Sequence, residues 1–236
     1  MKPSLLLIST IFLCVALAPA QDPVRPQPQA KTGSPLVRFE QDWPALNPPR
    51  YFIEVDAQGH ATYRSEPAAD SNGGSAPDSY VVEWTATEAT CSKVFESIKK
   101  LNYLQGHFAS KAKVANTGIK TLGYKDAEHD ASTTYNYSDN PVLRDLTQIF
   151  QSIAATAETG RRLAHDLRFD KLGVDAELKA LQEQQRSNQA IEFDSVRPIL
   201  QKIADDPAMM RMSQQRAKEI LKSAGPGAEP SSTAEK

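Results

Sequence analysis

The stretch that most constrains this chain is TATEATCSKVFESIKKLN, residues 85–102. Apolar side chains at Cys91, Val94, Phe95, Ile98 and Leu101 recur at the three- and four-residue spacing of one helical face. Ser92, Lys93, Glu96, Lys99 and Lys100 form the opposite, wet side. Thr85 followed by Glu88 reads as a capping box, in which each side chain meets a backbone N–H at the helix start. A helix with such a stripe has to be covered by a sheet or by another helix. Segments of β-forming residues lie on both sides of it, so the chain must bring distant strands to one helical face.

Those strands are legible from alternation and from turn chemistry. Residues 36–40 (LVRFE) lie among prolines and read as an edge strand, and 51–55 (YFIEV) is a stronger one. A DAQG turn over 56–59 returns the chain as 60–64 (HATYR), with Gly59 supplying the turn's unusual dihedral. The stretch 66–78 (EPAADSNGGSAPD) has almost nothing to bury and reads as a loop. Residues 79–84 (SYVVEW) lead into the helix. A second hairpin is expected from 119–124 and 133–137, closed by an acidic turn over 126–130. Asn140-Pro141 then opens a second helix, asparagine as N-cap and proline in the first turn. Val142, Leu143, Leu146, Ile149, Phe150 and Ile153 form its buried stripe, and Gly160 reads as its end. Strands, helix, hairpin, helix is an α+β order: an antiparallel sheet with two helices on one face.

The chain begins with Lys2, an apolar run over 5–17 and Ala18-Pro19-Ala20, the pattern of a secretory signal peptide cleaved before Gln21. The run is too short for a comfortable membrane span, and no later stretch approaches the roughly 18 apolar residues that a transmembrane helix needs. The expected location is therefore exported, periplasmic or secreted. Of two cysteines, Cys14 would leave with the signal, so Cys91 remains alone and the fold is held by packing rather than by an internal disulfide. With 27 basic against 29 acidic residues there is no basic excess of the kind a nucleic-acid footprint requires. The organisation expected is a signal peptide over 1–20, a proline-rich linker over 21–34, an α+β domain over 35–160, a small all-α C-terminal module over 161–222 and a loose tail over 223–236.

Beyond residue 161 only helical patterns occur. A short piece is expected over 161–167, then a helix capped by Asp175 and running to about Arg186, with Leu178 and Leu181 inward. Asp194 or Ser195 caps the next, with Pro198 in its first turn and Val196, Ile199, Leu200 and Ile203 inward. Asp206-Pro207 repeats the cap-and-proline signal before Met209, Met210, Ala217, Ile220 and Leu221. In 195–223 (SVRPILQKIADDPAMMRMSQQRAKEILKS), Pro198, Leu200, Ile203, Asp206-Pro207, Arg211 and Ala217 to Leu221 resemble one HEAT-type helical pair. Met210 stands where that consensus has valine. No second copy follows, and a lone repeat cannot bury its face. The leader, strand-rich middle and helical tail together are similar to exported bacterial proteins of unknown function, a resemblance that implies an address and an architecture but no activity.

Candidate chemistry is sparse. Asp126, Glu128, His129 and Asp130 crowd one turn and offer oxygen and imidazole ligands to a metal, without any standard metal-loop spacing; polar residues at a hairpin turn are equally ordinary. Cys91 near a helix start is a nucleophile by position, yet it lies on the apolar stripe and reads as core. Met209, Met210 and Met212 read as core filler rather than a copper site. Tyr135 and Tyr137 share one strand face and would form a binding platform if that face were open, or core if the helices cover it. No nucleophile elbow, phosphate loop or cofactor fingerprint occurs. The sequence thus points to an exported, non-enzymatic binding or scaffold protein of the cell envelope, with an envelope protein as a candidate partner and no cofactor. Its alternative is a hydrolase or metal-dependent enzyme built on the Asp126, Glu128, His129 and Asp130 turn. A further reading makes the helical tail a self-association device.

Overall fold

The computed structural model describes residues 33–66 and 79–225. The expected signal peptide, the proline-rich linker before Gly33, the loop over 67–78 and the tail from 226 lie outside the described residues. The strands are β1 (Leu36–Asp42), β2 (Arg50–Asp56), β3 (His60–Glu66), β4 (Tyr80–Thr85), β5 (Ile119–Lys125) and β6 (Asp130–Tyr135). They form one antiparallel sheet in the order β4-β3-β2-β1-β5-β6. The helices are α1 (Glu88–Lys100), α2 (Pro141–Phe169), α3 (Val174–Arg186), α4 (Arg197–Asp205) and α5 (Arg211–Ser223). This is the expected α+β class. Among the described residues no helix is long and apolar enough to cross a membrane.

Alternation along each strand sends one set of side chains toward α1 and α2. Val37, Phe39, Ile53, Val55, Tyr63 and Leu122 are buried there with Val94 and Ile98 of α1 and with Leu143, Leu146, Phe150 and Ile153 of α2. Phe39 stacks on Phe150 with ring centroids 4.9 Å apart. Each of these large side chains contributes on the order of 1.5–3 kcal/mol by leaving water. The other face carries Arg38, Glu40, Phe52, Glu54 and Arg64.

Strand β1 is central, not an edge: it pairs β2 on one side and β5 on the other. Its prolines flank it at Pro35 and Pro44 and none lies inside, so both rows of backbone groups are free to pair. Strand β6 begins at Asp130, opposite Lys125, and ends at Tyr135, which leaves Tyr137 beyond the sheet. Thr85 stays in β4, paired with His60. The N-cap of α1 is therefore Thr87, whose Oγ1 accepts from Thr90 N, and the Thr85–Glu88 capping box does not form. The buried stripe shifts accordingly to Thr90, Val94, Ile98 and Leu101, with Cys91 and Phe95 only half-buried at its margin.

Helix α2 does not stop at Gly160 but runs 29 residues to Phe169, absorbing the piece expected over 161–167. From Ser152 to Gly160 nearly every residue is buried, as expected of a helix covered on all sides. A Cβ on Gly160 would lie 2.5 Å from Val196 Cγ1, so glycine here lets another segment approach the helix. A second apolar cluster, with Leu163, Leu167, Leu178, Leu181, Leu200, Ile203 and Ile220 among its members, gathers the far end of α2 with α3, α4 and α5. Helix α3 starts at Val174 and α4 at Arg197, neither with a side-chain cap; Asp194 and Ser195 lie in a short 3-10 turn before α4. Of Met209, Met210 and Met212 only the first is core, and the other two are exposed.

Candidate binding cleft

At one end of the sheet the helix-facing side turns polar. Register places Tyr51, Gln41, Lys120 and Tyr135 in a row across four neighbouring strands. Each occupies an inward position in phase with apolar neighbours: Gln41 with Val37 and Phe39, Lys120 with Leu122 and Tyr124. The first turns of α2 lie above the row. Gln41 Oε1 accepts from Tyr51 OH at 3.1 Å and from Gln151 Nε2 at 3.0 Å. Thr147 spends its proton on Leu143 O at 2.7 Å, so the Tyr135 hydroxyl donates to Thr147 Oγ1 at 2.6 Å. Burial pushes the Tyr135 hydroxyl up to about 12.

Lys120 is 5% exposed. Its ammonium donates to Asn136 O at 3.0 Å, Thr117 Oγ1 at 3.1 Å and Thr117 O at 3.2 Å. Thr117 is held in turn by Asn136 Oδ1, which accepts from its backbone N–H at 2.8 Å. All these partners are neutral, and among the described residues no carboxylate lies within ion-pair distance of the ammonium. Burial shifts its pKa down, because desolvation disfavours the charged form. Beside it opens a cleft of about 280 Å³ between the ends of β5 and β6 and the start of α2, lined by Lys120, Tyr135, Tyr137, Arg144, Thr147 and Gln151, with Thr117, Asn136 and Ser138. At its rim Arg144 Nη1 donates to Tyr137 OH at 2.9 Å. That hydrogen bond, followed by the nearby Asp145 and Asp139, raises the Arg144 pKa.

The two tyrosines singled out from the sequence therefore meet at one cleft in different roles. Tyr135 is covered by α2, and Tyr137 stands at the mouth, 37% exposed. Lys120, Arg144 and Gln41 were not recognised from the sequence, although a lysine and a glutamine in phase with buried strand positions were the available signal.

The acidic turn is built differently from a metal loop. Asp126 accepts from the backbone N–H of Glu128 and His129 at 2.8 and 2.6 Å and from Tyr124 OH at 2.6 Å. Those bonds, Tyr124's first, hold its carboxyl well below the usual carboxylate range. His129 Nδ1 lies 3.1 Å from the same carboxylate, and its ring stacks on Tyr103 at 4.1 Å. Asp130 turns to Lys125 at 2.6 Å, and Glu128 is exposed. The fold brings Asp126 and His129 together and leaves Glu128 and Asp130 apart. Among the described residues no group of three or more His, Cys, Asp or Glu is placed to hold a metal ion.

Two further surfaces are saturated by their own contacts. On the open sheet face Phe52 lies between the guanidinium groups of Arg50 and Arg64, at 4.8 and 4.5 Å. Glu40 and Glu54 pair with Arg50 and Arg38. A hollow of about 390 Å³ lies along α5 at Arg211, Met212, Gln215, Arg216 and Glu219. It is lined by one helix alone, and its Arg216 is held by Asp175 at 3.1 Å and Gln182 at 2.9 Å. The Cys91 thiol is pushed up by burial and by the nearby Glu192 and Asp56, the reverse of an activated thiolate. The chain matches no protein-family model and no curated protein.

Proposed function

We propose that this chain is an exported, non-enzymatic binding or scaffold protein of the cell envelope, with the cleft between β5, β6 and α2 as its ligand seat. One observation carries this reading: buried Lys120, Tyr135, Tyr137, Arg144 and Gln151 line a single concavity of about 280 Å³. Convergent polar groups around a concavity are what small-ligand sites share. The leader-like pattern over 1–20 supports export. Helix α2 holds the cleft at one end and the α3–α5 cluster at the other, a rigid frame for presenting a bound ligand.

The test is native mass spectrometry of the full chain recovered from the exported fraction of a bacterial host. The expected result is a chain lacking its first twenty residues with a small molecule bound, and much lower occupancy in Gln151→Trp, which fills the cleft. A chain retained inside the cell, or an exported chain whose ligand occupancy Gln151→Trp leaves unchanged, would sink the proposal.

A further inference from the structure

Resting on that reading of the cleft, we propose that its ligand carries a carboxylate: the site takes small organic monoanions, seated against Arg144 with Lys120 supplying positive potential from below. The argument starts from charge. Lys120 is nearly inaccessible and surrounded by neutral oxygens, so its charge is solvated by dipoles but compensated by no acid among the described residues. A buried unpaired cation is costly to fold around, and an anion arriving beside it recovers part of that cost on binding. Arg144 adds the contact geometry. One of its nitrogens is committed to Tyr137, while Nε and Nη2 have no hydrogen-bond partner among the described residues. A guanidinium edge with free N–H groups matches the planar two-oxygen edge of a carboxylate.

Two features narrow the class. The cleft, about 280 Å³, falls at the small end of ligand sites. Asp139 and Asp145 lie near Arg144 and act on it electrostatically, which weakens the field at the guanidinium and disfavours a second negative charge on the ligand.

The probes are benzoate, its neutral isostere benzamide and inorganic phosphate, each titrated into the full chain at pH 7 by calorimetry. Amide chemical shifts locate the site. Benzoate is expected to bind at Lys120, Tyr137 and Arg144, more tightly than either benzamide or phosphate. R144Q should weaken benzoate about tenfold or more, the worth of a lost charge-assisted pair. K125Q, which removes an exposed cation at the far end of β5, should leave its affinity unchanged. Equal binding of benzamide would overturn the carboxylate while keeping the cleft as a ligand seat. Tighter phosphate binding would overturn the monoanion assignment. Failure of benzoate to bind, or an R144Q protein with unaltered melting temperature and benzoate affinity, would also overturn the proposal. A neutral molecule found bound to the exported protein would do so without touching the binding function.

Discussion

Tyr63 is fully buried and donates its hydroxyl to Glu158 Oε1 at 2.6 Å, while Arg161 Nε donates to Oε2 at 2.6 Å. A carboxylate this deep persists because both oxygens are served. Tyr63→Phe leaves Oε1 without its donor and is expected to cost about 1–3 kcal/mol, read from urea denaturation. A change under about 0.5 kcal/mol, the range of ordinary surface substitutions, would mean that the pair contributes nothing. Residues like these expose the limits of alternation. Tyr63 is inward by period, and the sequence shows that. Its partner, 95 positions away, sits on a helical face whose direction only packing fixes. Cys91 makes the same point in reverse: its helix is legible, but the buried stripe begins at Thr90 and leaves Cys91 and Phe95 at its margin, because packing fixes the rotation of the helix about its axis.

The length of α2 is the element that sequence reasoning misjudged most, and the reason is steric. Gly160 carried the signal of a helix end, yet its use is the close approach of Val196, whose β-branched side chain is stiff. Gly160→Ala gains about 1 kcal/mol of helix propensity and loses about 1–3 kcal/mol to overpacking, so a net destabilisation is expected. In a Val196→Ala background the same substitution should be neutral or stabilising. Melting of the four proteins of this double-mutant cycle decides it: an unchanged effect of Gly160→Ala in both backgrounds would show that the two residues are not coupled. Strand β1 was misplaced for a related reason. Flanking prolines suggested an edge, but its position is decided by which strands reach it, β2 through a local connection and β5 only after α1 has crossed the sheet.

At the scale of the whole molecule, Glu192 joins its parts. Its buried carboxylate accepts from Trp84 Nε1 at 3.0 Å, Thr87 N at 3.1 Å and Thr87 Oγ1 at 2.7 Å, tying the segment before α4 to edge strand β4 and to the start of α1. Glu192→Ala strands the indole and amide donors in the interior and should cost roughly 1.5–3 kcal/mol, the range for hydrogen bonds to a charged group. Hydrogen exchange should show lost protection first around 187–196 and the start of α1, with β1 and β5 unaffected; a uniform loss would mean that Glu192 does not join separable units. The class, nearly every element and most of the core are legible in the amino-acid sequence, because strand and helix periods are local and buried positions repeat along them. What came from tertiary packing is the strand order, the run of α2 through both apolar clusters and the placing of Lys120 and Arg144 at one cleft. Those depend on contacts between segments far apart in the chain, and no local pattern encodes which of them meet.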